Sequence, residues 1–225
     1  MKLNAPVRYL ASWLNSNKTI NPWISKSGED AQGYLDLLKG NSSEFLWNHL
    51  DDNFPKTVLE LGCNSGSRLF SRAINQPKTS FIGVDINKEA INVARSYALE
   101  NRIQNIDFIC ADISKPQDVF HKLHDAKFDL IFTWATLIYI HPIRIENVIK
   151  EIMIHSKRLI LIEQHNPKMR ILPKGIPTSG GNNWVRNYQK LIEKYQLDSQ
   201  TLLVSKVPNS IWQPGGGHAH ILELK

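Results

Sequence analysis

Two carboxylates and a glycine-containing turn stand at spacings that could hold a nucleoside. In Thr57-Val58-Leu59-Glu60-Leu61-Gly62-Cys63-Asn64-Ser65-Gly66-Ser67 an apolar run of strand length opens into the turn and then into a helical pattern. Backbone N–H groups and a helix N-terminus therefore face whatever binds there. A second apolar run, Ser80-Phe81-Ile82-Gly83-Val84-Asp85, stops at a carboxylate nineteen positions past Gly66. In doubly wound α/β proteins an acid at the tip of the second strand accepts hydrogen bonds from ribose hydroxyls at about this offset. A dinucleotide fingerprint would need glycines at Gly62, Asn64 and Ser67; two of the three are missing, which disfavours a pyrophosphate. Asn64 tolerates a left-handed backbone, and Gly66 lets the chain pass close to a ligand. Glu60 would repel a phosphate but suits a positively charged amino-acid moiety.

Glu60-Leu61-Gly62-Cys63-Asn64-Ser65-Gly66 with Asp85 resembles the first two motifs of class I S-adenosylmethionine-dependent methyltransferases, with Asn64 in place of the middle glycine of Gly-x-Gly-x-Gly. The resemblance continues in Asn105-Ile106-Asp107-Phe108-Ile109-Cys110-Ala111-Asp112-Ile113, a third strand ending in an acid where the family contacts the adenine amino group. It continues again in Phe128 to Thr136, a fourth strand whose exit in the family passes the methionine portion and the transferred methyl. It covers Thr57 to Glu163. What it implies is a Rossmann-like fold, S-adenosyl-L-methionine as cofactor, and a donor site made of Glu60, Gly62, Cys63, Asn64, Gly66, Asp85, Ile86, Asp112, Ile113, Thr133 and Trp134. Leu137-Ile138-Tyr139-Ile140-His141-Pro142, Asn166-Pro167 and Trp184-Val185-Arg186-Asn187-Tyr188 resemble, more narrowly, methylases associated with pseudaminic acid biosynthesis. Tyr139 stands where their Leu-Ile-His-Ile pattern has its histidine, and Arg186-Asn187 where they have Arg-Asp.

Methyl transfer from a sulfonium needs in-line approach, a nucleophile in the correct protonation state and exclusion of water, so proximity and orientation can carry most of the rate. The run Thr133 to Pro142 reads as the wall between donor and acceptor. His141 is the candidate base, with an ordinary pKa near neutrality, and Tyr139 is the second candidate catalytic residue. The competing readings are core aromatics for Trp134 and Tyr139 and a turn residue for a histidine ahead of proline. His165, Asn166, Arg186 and Tyr188 could form an acceptor pocket beyond the fifth strand, Arg186 suiting a carboxylate or phosphate. The alternative is an exposed helix with Arg186 and Lys190 facing water. Trp23 and Tyr34 are the aromatics available to cover the acceptor from the N-terminal side. His218-x-His220 and His121-x-x-His124 each pair two imidazoles without a third ligand at recognisable spacing, so no metal is expected.

These residues need positioning elements. Strands are predicted near 57–61, 80–85, 105–110, 128–133 and 158–163, with helices near 67–75, 87–100, 115–124 and 142–156. Such alternation predicts a doubly wound α/β fold with a mostly parallel sheet. Segments 201–207 and 219–224 are strand-like, and the methyltransferase resemblance implies that they form a terminal hairpin completing a seven-stranded sheet with an antiparallel C-terminal strand. Residues 1–56 read as an N-terminal helical cap, with Val7, Leu10, Ala11 and Leu14 at helical spacing, and 57–225 as the S-adenosylmethionine-binding domain. Asn166 to Asn183 is a long irregular segment, followed by a predicted helix over 184–195.

The chain of 225 residues is long enough for one well-buried domain and an appendage. Its net charge of +6 is scattered, with no basic run longer than Lys157-Arg158 between residues 150 and 194. That, and the absence of an Asn-Pro-Pro-Tyr signature after the fourth strand, argues against a nucleic-acid partner. No apolar run spans a bilayer and the first residues lack a secretion core, so the expectation is a cytoplasmic protein without a membrane partner. Cys63 and Cys110 are expected as free thiols, about 10 Å apart across an intervening strand. The reading is methylation of a small polar acceptor, a sugar or sugar conjugate, at oxygen or nitrogen. Its rivals are an RNA methyltransferase and a noncatalytic S-adenosylmethionine-binding partner subunit.

Overall fold

The computed structural model describes residues 23–24, 26–35, 41–50, 54–178, 183–212 and 218–225. Val7, Leu10, Ala11 and Leu14 lie outside them. Short helices α1 (Gly28–Leu35) and α2 (Asn41–Trp47) precede β1 (Thr57–Leu61), α3 (Ser67–Ala73), β2 (Ser80–Asp85), α4 (Lys88–Glu100), β3 (Ile106–Cys110), α5 (Pro116–Lys122) and β4 (Phe128–Trp134). A single 3-10 turn, Leu137–Tyr139, leads into α6 (Pro142–His155) and β5 (Ser156–Gln164). After β5 come β6 (Ile176–Pro177), β7 (Trp184–Val185), α7 (Tyr188–Glu193), β8 (Leu202–Lys206) and β9 (Ala219–Leu224).

Seven strands form one sheet in the order β3-β2-β1-β4-β5-β9-β8. β9 runs antiparallel to both neighbours, and β1 to β5 pair in parallel. Alternate residues of β1 feed opposite faces. Leu59 and Leu61 join the core under α5, α6 and α7, whereas Val58 joins Phe70, Phe81, Phe108 and Phe132 under α3 and α4. A parallel strand covered on both faces must be apolar on both, which is why its one acid, Glu60, is conspicuous. The strand order reverses between β1 and β4, and the loops leaving their carboxyl ends diverge there, where open α/β sheets bind ligands.

Local chemistry sets the helix starts. Asn87 caps α4, its Oδ1 accepting from Glu89 N at 2.9 Å and Ala90 N at 3.3 Å. Pro142 occupies the first position of α6. α2 belongs to the core rather than to a lid. Trp47 is buried against Phe81 and Phe132, and its Nε1 donates to Arg68 O at 3.2 Å and Ser71 Oγ at 3.1 Å. The predicted helix over 184–195 is corrected. Trp184 and Val185 instead pair antiparallel with Pro177 and Ile176, and the helix starts only at Tyr188, after Asn187 caps it through Lys190 N at 3.0 Å. An aromatic and a β-branched residue suit the pleated ribbon, and no helical periodicity competes there.

Candidate active site

The turn after β1 is left-handed at alternate positions: Gly62 at φ 81°, Asn64 at 50° and Gly66 at 77°. A side chain at Gly62 would put its Cβ 2.1 Å from Thr136 Oγ1, and one at Gly66 would sit 2.5 Å from the Phe108 ring. Asn64 is the middle member because asparagine tolerates this conformation, and its Oδ1 accepts from Ser65 N at 2.7 Å. The turn is tied to β2 by Asp85. Its Oδ2 accepts from Asn64 N at 2.8 Å and its Oδ1 from Asn87 N at 2.9 Å. Burial raises the Asp85 pKa, and those N–H groups hold it back. These backbone bonds, with a further one from Ile86, do not exhaust the carboxylate, which keeps acceptor capacity for further donors.

Above this corner lies a cleft of about 620 Å³, within the ~300–1,000 Å³ range of small-molecule sites. Of the residues expected from the sequence it brings together Gly62, Asn64, Asp85, Ile86, Asp112, Ile113, Trp134, Tyr139, His141, Trp23 and Tyr34. Trp23 makes edge contacts with Tyr34 at 5.7 Å and Tyr139 at 5.8 Å, an arch that runs from the segment tied to the β2 exit, where Asn87 Nδ2 donates to Lys26 O at 3.2 Å, to the turn after β4. Thr136, within the expected Thr133–Pro142 wall, lines the cleft as well; Arg68, Arg144 and Trp212 also line it and have no counterpart among the expected residues. For Arg68 a signal existed, since an acid inside a two-sided strand calls for a cation nearby. Trp212 enters from the β8–β9 connection, for which the sequence offered no signal.

Four expected donor residues stand behind the cleft wall rather than in it. Glu60 is fully buried and pairs with Arg68 Nη1 at 3.2 Å, so it balances an arginine instead of facing an amino-acid moiety directly. Burial pushes its carboxyl up to about 7, with Arg68 opposing. Cys63 is buried, with its thiol raised by burial, and Gly66 shapes the turn from beneath. Thr133 donates its hydroxyl to Glu163 Oε1 at 2.8 Å. The same oxygen accepts from Thr136 N and Leu137 N, both at 3.0 Å, so Glu163 pins the β4 exit from within the core.

The expected acceptor pocket after β5 is likewise part of the scaffold. Arg186 is 0% exposed; it donates to Lys174 O and Leu137 O, both at 2.8 Å, and to Ile140 O. It therefore ties the irregular segment to the stretch carrying Tyr139, and presents no fork to a ligand. Tyr188 is fully buried, with burial pushing its hydroxyl far above its ordinary range. His165 is buried, its Nδ1 accepting from Tyr188 N at 3.1 Å. Burial lowers its pKa to about 4. Asn166 makes a local turn through Lys168 N at 3.0 Å. The bland alternative of a water-facing Arg186 is equally excluded.

The two catalytic candidates do face the cleft. Burial raises the Tyr139 pKa, so its hydroxyl stays protonated at neutral pH and is a donor. His141 caps α6, its Nδ1 accepting from Ile143 N at 3.2 Å. Burial lowers its pKa, aided by Arg186 and Arg144. A neutral imidazole that accepts at Nδ1 carries its proton at Nε2. To act as a base from Nε2 it must give up the cap.

Residues 54–194, more than half of the chain, match the model of a methyltransferase domain family. The chain belongs to this family. The fold of this methyltransferase domain is that of class I S-adenosylmethionine-dependent enzymes, and S-adenosylmethionine is the cofactor the family implies. The site fits it: a carboxylate with spare lone pairs at the β2 tip, a turn of left-handed residues beneath, and apolar Ile86 and Ile113 flanking Asp112. The domain is 30% identical over 95 residues to a tRNA (guanine-N(7)-)-methyltransferase of Pediococcus pentosaceus, covering 42% of this chain and 45% of that protein. It is 37% identical over 87 residues to a ubiquinone biosynthesis O-methyltransferase of Idiomarina loihiensis, covering 39% and 33%. The aligned stretch thus spans less than half the length of either relative. An O-methyltransferase from a trans-AT PKS multienzyme of Brevibacillus brevis, solved with S-adenosyl-L-homocysteine, shares the fold at a TM-score of 0.62 and 14% identity, over 88% of this chain and 74% of that one.

Proposed function

We propose that the chain is an S-adenosylmethionine-dependent methyltransferase acting on a small polar acceptor, a sugar or sugar conjugate methylated at oxygen or nitrogen. The observation that carries this reading is the arch of Tyr34, Trp23 and Tyr139 over one side of a 620 Å³ cleft, which leaves room for the donor and a metabolite-sized partner. The sugar assignment rests on the resemblance of Leu137–Pro142 and Trp184–Tyr188 to methylases of pseudaminic acid biosynthesis.

S-adenosylmethionine supplies a methyl group on a sulfonium to the acceptor nucleophile. Asp85 takes the ribose hydroxyls, Asp112 with Ile86 and Ile113 takes the adenine, and the Gly62–Gly66 turn with Trp134 bounds the amino-acid end. The chain contributes mainly by positioning the reactants and excluding water. Tyr139 offers a hydrogen-bond donor to the acceptor.

A second reading, methylation of RNA, is favoured by the tRNA-modifying relative and the net charge of +6. The test is transfer of labelled methyl from S-adenosylmethionine into a metabolite extract and, separately, into bulk tRNA. Label in the small-molecule fraction is the expected result. Label in tRNA, with binding that weakens steeply between low and moderate salt, would replace the small-acceptor reading. Donor binding with label in neither fraction would favour the noncatalytic partner subunit.

A further inference from the structure

We infer that Arg68 is a carboxylate-binding residue of the cleft, held ready by Glu60 and Trp134. The inference rests on the donor reading above. Arg68 sits in the first turn of α3, two residues past Gly66, and its side chain is 21% exposed at the cleft wall. Its guanidinium carbon lies 4.7 Å over the Trp134 ring, and Nη1 donates to Glu60 Oε1 at 3.2 Å. One face is thus covered and one edge fixed. Nε is buried and has no hydrogen-bond partner among the described residues, and neither has Glu60 Oε2 behind it.

Glu60 uses Nη1 alone, and a buried N–H such as Nε is costly until an acceptor oxygen reaches that edge of the guanidinium. A planar guanidinium with its orientation already set loses little freedom on binding, and its paired N–H groups match a carboxylate. The other arginine lining the cleft, Arg144, donates to Ser114 Oγ at 3.0 Å, on the Asp112 side. Arg68, beside Gly62 and Trp134, serves the opposite end. Two carboxylates could reach it: that of the donor's amino-acid end, or one carried by the acceptor. Glu60 is then a positioning residue, which explains an acid in an otherwise apolar strand.

The test is calorimetric titration of wild type, Arg68→Met and Arg68→Lys with S-adenosylhomocysteine and with methylthioadenosine, which keeps the nucleoside and thioether but lacks the carboxylate. The expected result is a loss of about ten- to a hundredfold in S-adenosylhomocysteine affinity in Arg68→Met. Methylthioadenosine affinity should hold, and Arg68→Lys, which keeps a cation beside Glu60 and hence the fold, should recover part of the loss. Unchanged S-adenosylhomocysteine affinity, with labelled methyl transfer into the anion-exchange-retained part of a metabolite extract falling at least tenfold, would assign the carboxylate to the acceptor. Equal losses for both nucleosides, or no loss in either binding or transfer, would overturn the inference. Wild-type protein binding neither compound would overturn the donor reading and this inference together, whereas binding of both that is indifferent to Arg68 overturns this inference alone.

Discussion

The exits of β1, β2 and β3 and the exit of β5 all carry polar residues, and they put them to opposite uses. At the first three, Asn64, Asp85 and Asp112 line the cleft, each anchored by short backbone contacts that leave hydrogen-bonding capacity over. At the fourth, Glu163, His165, Arg186 and Tyr188 are buried and turn inward, holding the turn after β4 and the irregular segment. The difference teaches that polarity at a strand exit does not by itself mark a binding group. What distinguishes the two regions is where the side chains stand: the first group faces the cleft, whereas the second is buried and spends Glu163 Oε1, His165 Nδ1 and the Arg186 guanidinium on backbone groups.

The comparison breaks most sharply at Arg186. Arg186→Met leaves the carbonyls of Lys174, Leu137 and Ile140 without their donor and should cost about 3–5 kcal/mol in urea denaturation. A variant as stable as wild type but defective in acceptor use would return Arg186 to the binding group.

The next largest effect depends on pH. His165 has its folded-state pKa lowered to about 4 from an ordinary 6.5, so the unfolded chain takes up the proton first. Its contribution is fully present above pH 6.5 and is lost as pH falls towards 4, to a limit of about 3 kcal/mol. Glu60 runs the other way. With a folded-state pKa of about 7 against 4.5, its contribution is present below pH 4.5 and is lost as pH rises through 7. The two oppose each other in the wild-type curve, so denaturation of His165→Gln and Glu60→Gln at pH 4.5 and 7.5 separates them. His165→Gln should lose less stability on acidification than wild type; an identical loss would mean that the ring titrates normally.

On the cleft side, Asp85→Ala should weaken donor binding by about ten- to a hundredfold, the ~1.5–3 kcal/mol of hydrogen bonds to a charged group. Unchanged affinity in a folded variant would remove the ribose assignment. The smallest effect belongs to His141. As a cap, His141→Ala should cost about 1 kcal/mol of stability and less than about tenfold in rate. A loss of about 10²–10⁴ in maximal rate, with disappearance of a pH dependence near neutrality, would make it a base after all.

The nucleoside corner was legible in the sequence because its requirements are local. Left-handed backbone at Gly62, Asn64 and Gly66, and an acid at the end of β2, leave marks on residue type and spacing. The interior role of Arg186 was not legible. It depends on Trp184–Val185 closing against Ile176–Pro177, a pairing across an irregular segment that no periodicity announces. Arg68 lies between these cases: its helix is readable, but its place in the site is signalled only indirectly, by the need of Glu60, an acid in a buried strand, for a counter-ion.

The measurement that tests the central claim most directly is thermal unfolding with S-adenosylmethionine and, separately, with NAD. At about a hundredfold above its dissociation constant, S-adenosylmethionine should stabilise the fold by about 2.7 kcal/mol, a rise in Tm of roughly 5–10 °C, while NAD leaves it unmoved. A comparable rise with NAD and none with S-adenosylmethionine would contradict the account.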